Sequence, residues 1–316
     1  MPACGCWIAT ASRWIPSRKS AAAPLFEGSG HTLEEVFEQL RADKLASFDL
    51  AGTVTLSGGN ELSRISSRNV VAMLPGSDPT LAAEQVVFGA HLDHLGIGEP
   101  VEGDAIYNGA LDNALGVAIL LQAAGELARG PRPARTLVFA AFTGEEKGLL
   151  GAEQLARNPV GNPKAVVAMV NMDMPLILQP LQDAVPIGLE HSSLQKIVED
   201  AARAIGIKLS PDPFPEEVVF IRSDQFPFIR LGIPAVYLDA GVTGSLTGSD
   251  VPAQMREFLR LHYHRPSDDL SQPIHYPTAA RLAALNQRIG LAIANDPQRP
   301  RWNESDFFGD KFAPAK

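Results

Sequence analysis

From Val86 onward, short apolar runs rich in β-branched residues alternate with longer stretches whose apolar residues recur at helical spacing. The runs are VVFGAHLD, TLVFAAF, AVVAMVNMD and PAVYLDA, and the clearest helical stretches are LDNALGVAILLQAAGELARG, GLLGAEQLARN and SSLQKIVEDAARAIG. Strands that alternate with helices need crossover connections, which are right-handed, and they build a mostly parallel sheet covered on both faces. With no internal repeat and no low-complexity linker, the pattern predicts one α/β domain. Upstream the grammar differs. HTLEEVFEQLRA places Thr32 and Glu35 at capping-box spacing and aligns Leu33, Val36, Phe37 and Leu40 in a helical stripe. The following FDLAGTVTLSGGNELSRISSRNVVAMLPG alternates apolar and polar positions between turn signals, which predicts antiparallel or edge strands.

Charge and cysteine content narrow the chemistry. The 316 residues carry 27 basic and 36 acidic side chains, a formal charge of −9. That balance argues against a nucleic-acid groove or an anionic membrane surface as the partner, while most net charge simply serves solubility. Cys4 and Cys6 are the only cysteines, so neither a disulfide framework nor a thiolate zinc site can be built, and any metal must be held by His and carboxylates. No apolar run reaches the roughly 18 residues of a membrane span. The opening MPACGCWIATASRWIPSRKS has no basic residue ahead of its apolar patch and makes a poor signal peptide.

In open α/β sheets ligands bind beyond the carboxyl ends of the strands, and here those ends are ionisable. Strands end in GAHLDHLG, TGEEKG and NMDMP, a helix opens at NGALDNALG and LHYHRPSDD lies much later; in chain order they contribute His91, Asp112, Glu145 with Glu146, Asp173 and His264, all expected on one rim. Four carboxylates on one rim would raise one another's pKa values unless cations compensate. With Asp112, Glu146 and Asp173 as ligands, their charges and that of a bridging hydroxide balance two Zn²⁺, giving a neutral core that can be buried. Two imidazoles and three carboxylates, one of them bridging, leave open positions for water and substrate. The remaining glutamate is then free to act as a base. Each residue alone has a plainer reading. His91 with His94 could be a surface pair, Asp112 an N-cap, the two glutamates a first helical turn, and Asp173 and the HYH segment turn or edge residues. Together the plain readings need five coincidences on one sheet edge.

The order HLD, ALDNA, GEEKGLLG, NMD and YH followed by Asp four residues on resembles the di-zinc aminopeptidases of metallopeptidase family M28, which includes bacterial leucyl aminopeptidases and glutaminyl cyclases. The likeness runs from about Asn69 to about Leu270. It implies a single three-layer αβα domain with a mostly parallel, mixed central sheet, the zinc-dependent exopeptidase fold, also called phosphorylase/hydrolase-like. That zinc peptidase domain is expected over 31–300, between a poorly structured or truncated remnant at 1–30 and a C-terminal tail at 301–316. The resemblance places one zinc on His91 and Asp173 and the other on Glu146 and His264, with Asp112 bridging and Glu145 as general acid/base. Cobalt or manganese are possible substitutes. Asp93 and Asp268 are expected to orient the ligands, and the Asp112–Asn113 bond is expected to be cis. Tyr263 either resembles an oxyanion-stabilising tyrosine or is a buried structural one. FIRSDQFPF resembles a substrate-lining RSD segment, in which Arg222 either contacts the substrate carbonyl or pairs with Asp224. His94 and His262 lie near ligands but in the wrong motif positions, and are set aside.

The resemblance implies an aminopeptidase acting on a peptide or small substrate with a free N-terminus. Alternatives within the family are a single-zinc glutaminyl cyclase, or a carboxypeptidase-like member with Arg222 facing the substrate carboxylate. A noncatalytic binding module would have lost ligands. PFPEEVVFIRSDQFPF and LDAGVTGSLTG are expected to line the specificity pocket, and their apolar residues suggest a hydrophobic side chain. Larger bacterial relatives carry a signal peptide and a protease-associated domain. Since AAAPLFEGSGHTLEEVFEQLRADKLASFDL resembles the tail of that region, a truncated N-terminus is expected, and the resemblance implies a secreted or periplasmic location. The sequence carries no signal for oligomeric state.

Overall fold

A computed structural model of the chain describes residues 22–53, 55, 58, 64–162, 164–244 and 246–313. Both cysteines lie outside these residues, as does part of the stretch expected to form strands before Val70. The chain divides into two compact units, residues 1–65 and 66–316. In the first, helix α1 (Leu33–Arg41) begins at the expected capping box: the Glu35 N–H donates to Thr32 Oγ1 at 3.2 Å and the Thr32 N–H to Glu35 Oε2 at 2.8 Å. Among the described residues of the 48–76 stretch, the strand is β1 (Val70–Leu74), at the sheet edge.

The second unit holds the expected alternation. In chain order after β1 the strands of its main sheet are β2 (Gln85–His91), β5 (Thr136–Phe142), β6 (Val166–Asn171), β7 (Asp183–Ile187), β8 (Lys208–Leu209) and β9 (Ala235–Ala240). The numbers β3 (Gly96–Val101) and β4 (Asp104–Tyr107) belong to a separate hairpin that the sequence pattern did not announce. The seven strands are ordered β1-β5-β2-β6-β9-β7-β8. β5, β2, β6 and β9 run parallel, while β1 and β7 are antiparallel to β5 and β9. Every residue of β2 and β6 is buried, as a strand covered on both faces requires.

Alternate residues of β2 enter different layers. Val86, Phe88 and Ala90 pack with α2 (Leu115–Arg129), α4 (Leu194–Ala204), α6 (Val251–Leu261) and α7 (Tyr276–Asn295). Val87 faces the other way, toward α3 (Leu150–Arg157) and α5 (Gln225–Ile229). The result is the three-layer αβα sandwich with a mixed sheet. The packing is close: a Cβ on Gly290 of α7 would stand 1.8 Å from Phe88 Cζ. One helical stretch, Ala110–Arg129, is long and apolar enough by composition to cross a membrane, and more than half of it is buried as the core helix of this sandwich. The segment after 300, expected as a tail, packs on the core. Trp302 Nε1 donates to the Gly232 carbonyl at 2.9 Å, and Phe308 of α8 (Phe307–Phe312) lies edge-on to Phe220.

Candidate metal centre

The strand ends deliver the predicted residues to one rim. His91 is the last residue of β2. Its Nδ1 donates to the Asp93 carbonyl at 2.9 Å, which fixes the tautomer and leaves Nε2 as a lone-pair donor. β5 ends at Phe142, and Gly144, at φ +68, turns the chain so that Glu145 and Glu146 follow directly. The Glu145 N–H is held by Asp93 Oδ1 at 3.2 Å. Asp93 therefore orients His91 through its carbonyl and the glutamate loop through its carboxylate. Asp173 lies two residues beyond β6, and the Asp173 carbonyl accepts the Tyr237 hydroxyl at 2.5 Å.

Asp112 sits just ahead of α2 in a turn of non-helical backbone, and the Asp112–Asn113 peptide is cis. Asp268 accepts the N–H groups of Leu111 and Asp112 at 2.9 and 3.0 Å, so it fixes the backbone of Asp112. Asn113 ties this turn to the Asp173 loop: its Oδ1 accepts from Gly116 and Met174, and its Nδ2 donates to the Met172 carbonyl. His264 follows α6 in the left-handed region at φ 56, an uncommon conformation for a side-chain-bearing residue.

The two oxygens of Asp112 face two sets of donors. Oδ1 is 3.1 Å from His91 Nε2, which is 3.0 Å from Asp173 Oδ1. Oδ2 is 3.2 Å from His264 Nε2, which is 3.3 Å from Glu146 Oε2. Donors that share one tetrahedral Zn²⁺ at about 2.0–2.1 Å stand about 3.3 Å apart, and each of these imidazole–carboxylate spacings is close to that. His94, set aside on motif position, lies within the same cluster: its side chain is buried, with Nδ1 2.9 Å from Glu146 Oε1 and 3.7 Å from Asp112 Oδ2. His91, Asp112 and Asp173 form one group able to hold a metal, and His94, Asp112 and Glu146 another. His262 stays apart, its Nδ1 2.9 Å from Ser267 Oγ.

Electrostatics reflect the crowding. Burial pushes the Glu145 carboxyl up to about 9, reinforced by Asp173, Asp224 and Glu146 against His91. Burial also acts to raise Glu146, but His264 and His94 hold it at about 2. For His264, burial disfavours the cation, yet Asp112 and Glu146 overcome it and lift the imidazole to about 9. Negative charge thus exceeds what the protein's own imidazoles neutralise, the condition that divalent cations relieve.

A cavity of about 130 Å³ opens beside this cluster, lined by His91, Asp112, Glu145, Asp173, Tyr263 and His264. Tyr263 stacks on His264 with ring centroids 3.8 Å apart. Arg222 also lines it, but the Arg222–Asp224 pair does not form: Arg222 Nη1 binds Glu217 Oε2 at 2.9 Å, and Asp224 is buried with neither carboxylate oxygen hydrogen-bonded among the described residues. Burial raises the Asp224 carboxyl well above its ordinary range, with Asp173 and Asp93 adding to it and His91 opposing. Two further positions were not singled out in the sequence. Ser223 donates to Asp173 Oδ2 and is itself held by Asn171 Nδ2 at 2.8 Å, and Tyr237 anchors the Asp173 backbone.

Comparison with known proteins bears on the family and the fold. The profile described as Peptidase family M28 matches residues 69–289. A probable zinc metalloprotease of Pyrenophora tritici-repentis is 31% identical over 93% of this chain and 69% of its own length, and one of Phaeosphaeria nodorum is 32% identical over 93% and 62%. Leucine aminopeptidase 1 of Trichophyton rubrum is 35% identical over 34% of this chain and 28% of its own. Among solved structures, a peptidase M28 precursor from Shewanella amazonensis superposes with TM-score 0.53 at 23% identity, over 74% of this chain and 46% of that one. A zinc aminopeptidase from Bacillus subtilis gives TM-score 0.51 at 21% identity, over 78% and 53%. The chain thus spans between roughly a quarter and two thirds of the length of these relatives and about half of these solved chains. With the family profile covering most of the chain, and the motif residues converging on one rim, this protein belongs to peptidase family M28.

Proposed function

We propose that the chain is a zinc aminopeptidase that hydrolyses the N-terminal peptide bond of peptides or small substrates with a free amino group. One observation carries the reading: the two oxygens of a single buried carboxylate, Asp112, each face a separate imidazole–carboxylate pair, with Glu145 outside both pairs and on the cavity wall. His91, Asp173 and Asp112 would hold one Zn²⁺, and Glu146, His264 and Asp112 the other. The ions supply Lewis acidity and lower the pKa of water.

The chain's own residues do the rest. Glu145 takes a proton from the attacking water and returns it to the leaving amine. Its affinity for protons, raised by burial, suits the second half of that cycle. Tyr263 on the cavity wall stabilises the developing oxyanion with its hydroxyl. The test is elemental analysis of purified, dialysed protein together with hydrolysis of leucine p-nitroanilide before and after chelation. Two zinc per chain, with activity lost on chelation and restored by zinc, is the expected result. One zinc with cyclisation of N-terminal glutamine and no hydrolysis would replace the aminopeptidase by a cyclase.

A further inference from the structure

His94 stands outside the ligand set that the family resemblance implies, yet its ring is buried among those residues. Its side chain is 7% exposed, and neither ring nitrogen completes a hydrogen bond of good geometry among the described residues. Leaving both nitrogens of a buried imidazole unsatisfied is costly unless the ring serves its neighbours.

The ring's position is built by the fold. The β3–β4 hairpin leaves the rim just after His94 and returns just before Gly109, so the two residues meet at its base. A Cβ on Gly109 would stand 2.7 Å from His94 Cγ, and Gly109 also sits at φ +69, so only glycine leaves room for the ring there. On another side the His264 ring lies edge-on, with centroids 5.6 Å apart.

The two oxygens of Glu146 have different neighbours. Oε1 is 2.9 Å from His94 Nδ1, and Oε2 is 3.3 Å from His264 Nε2. A carboxylate's last torsion is broad and roughly two-fold, so nothing intrinsic fixes which oxygen faces a metal. We propose that His94 is a positioning residue for the second ion: when that ion is bound, its Nδ1–H donates to Glu146 Oε1, 2.9 Å away in this structure, and so turns Oε2 toward the place where His264 Nε2 and Asp112 Oδ2 converge. This rests on the two-ion reading above. Groups that orient a metal ligand in this way typically change metal affinity by about 10–100-fold.

Zinc binding to dialysed protein, measured by competition with a chromogenic chelator, tests this on wild type, His94→Ala and His94→Asn. An asparagine carboxamide can donate a similar hydrogen bond but is a poor substitute for an imidazole ligand. The expected result is two zinc in wild type, one of them weakened by about 10–100-fold in His94→Ala and restored to within a few-fold in His94→Asn. Melting temperatures in excess chelator should be alike for the three proteins, because the role is directed at the ion. Unchanged affinity in His94→Ala overturns the proposal, as does equal weakening in both variants, which would make the ring itself a ligand or a packing element. If His94→Ala fails to fold, His94→Asn against wild type decides, and a loss beyond about 10-fold overturns the proposal. Wild type that binds no zinc refutes the functional reading itself, whereas normal wild-type binding with either overturning variant result refutes only the role of His94.

Discussion

Replacing Asp239 with asparagine tests whether the cavity wall carries a carboxyl that folding holds at an electrostatic cost. Asp239 lies two residues beyond Tyr237 on β9, so both side chains project from the same face of the strand, and both line the cavity. Burial pushes its carboxyl up to about 7 from an ordinary 3.8, with Asp212 and Asp173 adding repulsion and the N–H groups of Ala240 and Leu176 opposing. A folded-state pKa above the unfolded one means that the native state holds the proton more tightly. The associated stability is complete below the unfolded pKa and is lost as pH rises through the folded one. The interval from 3.8 to about 7 corresponds to on the order of 4 kcal/mol over that whole window. Because the residue keeps partial contact with solvent, roughly half of that is the working figure. Between about pH 5 and about pH 8, wild type should therefore lose roughly 1–2 kcal/mol more stability than Asp239→Asn, whose side-chain oxygen can still accept the Ala240 N–H. Urea unfolding of both zinc-loaded proteins at the two pH values measures it, and the other titrating groups cancel in the difference. Parallel pH dependences would refute the reasoning.

Three further outcomes follow from the geometry. Glu145→Ala should keep both zinc ions yet lose nearly all hydrolysis, whereas Asp112→Ala should lose metal as well; equal metal loss by elemental analysis would erase the distinction between base and ligand. Chelation should lower the melting temperature of wild type, since an ion bound to the native state at about 1,000 times its Kd contributes about 4 kcal/mol, and an unchanged transition would argue against a bound ion. Gly290→Ala should destabilise by about 1–3 kcal/mol or more, because the new Cβ meets the Phe88 ring at 1.8 Å, and chemical denaturation would show it as a lowered midpoint.

The parallel strands were legible because burial on both faces writes them as uninterrupted apolar runs, and four of the candidate groups because they stand where such a run stops. His91 closes β2, the glutamates follow β5 and Asp173 follows β6. The β3–β4 hairpin was not legible: GIGEPV is almost wholly exposed, so no face of it carries an apolar alternation. In the 48–76 stretch, part of which lies outside the described residues, Val70–Leu74 pairs with β5 as an edge strand.

The same contrast explains the histidines. His91 and His94 are three residues apart, and the sequence alone assigns them by motif because the strand's period of two applies only while the strand continues. It ends at His91, so the direction of the next side chains is set by where the chain goes afterwards. The hairpin carries the chain out and back, and Gly109 at its return gives the His94 ring a place against the backbone. Ser223 and Tyr237 escaped for a related reason. Each acts through a hydrogen bond to a residue 50 or more positions away, in both cases Asp173, and no local spacing records such a pairing. Groups that stand at strand ends, as His91, Glu145, Glu146 and Asp173 do, can thus be read along the chain. Groups whose place is set by the return of a loop, as with His94, become visible only when the loops are in place.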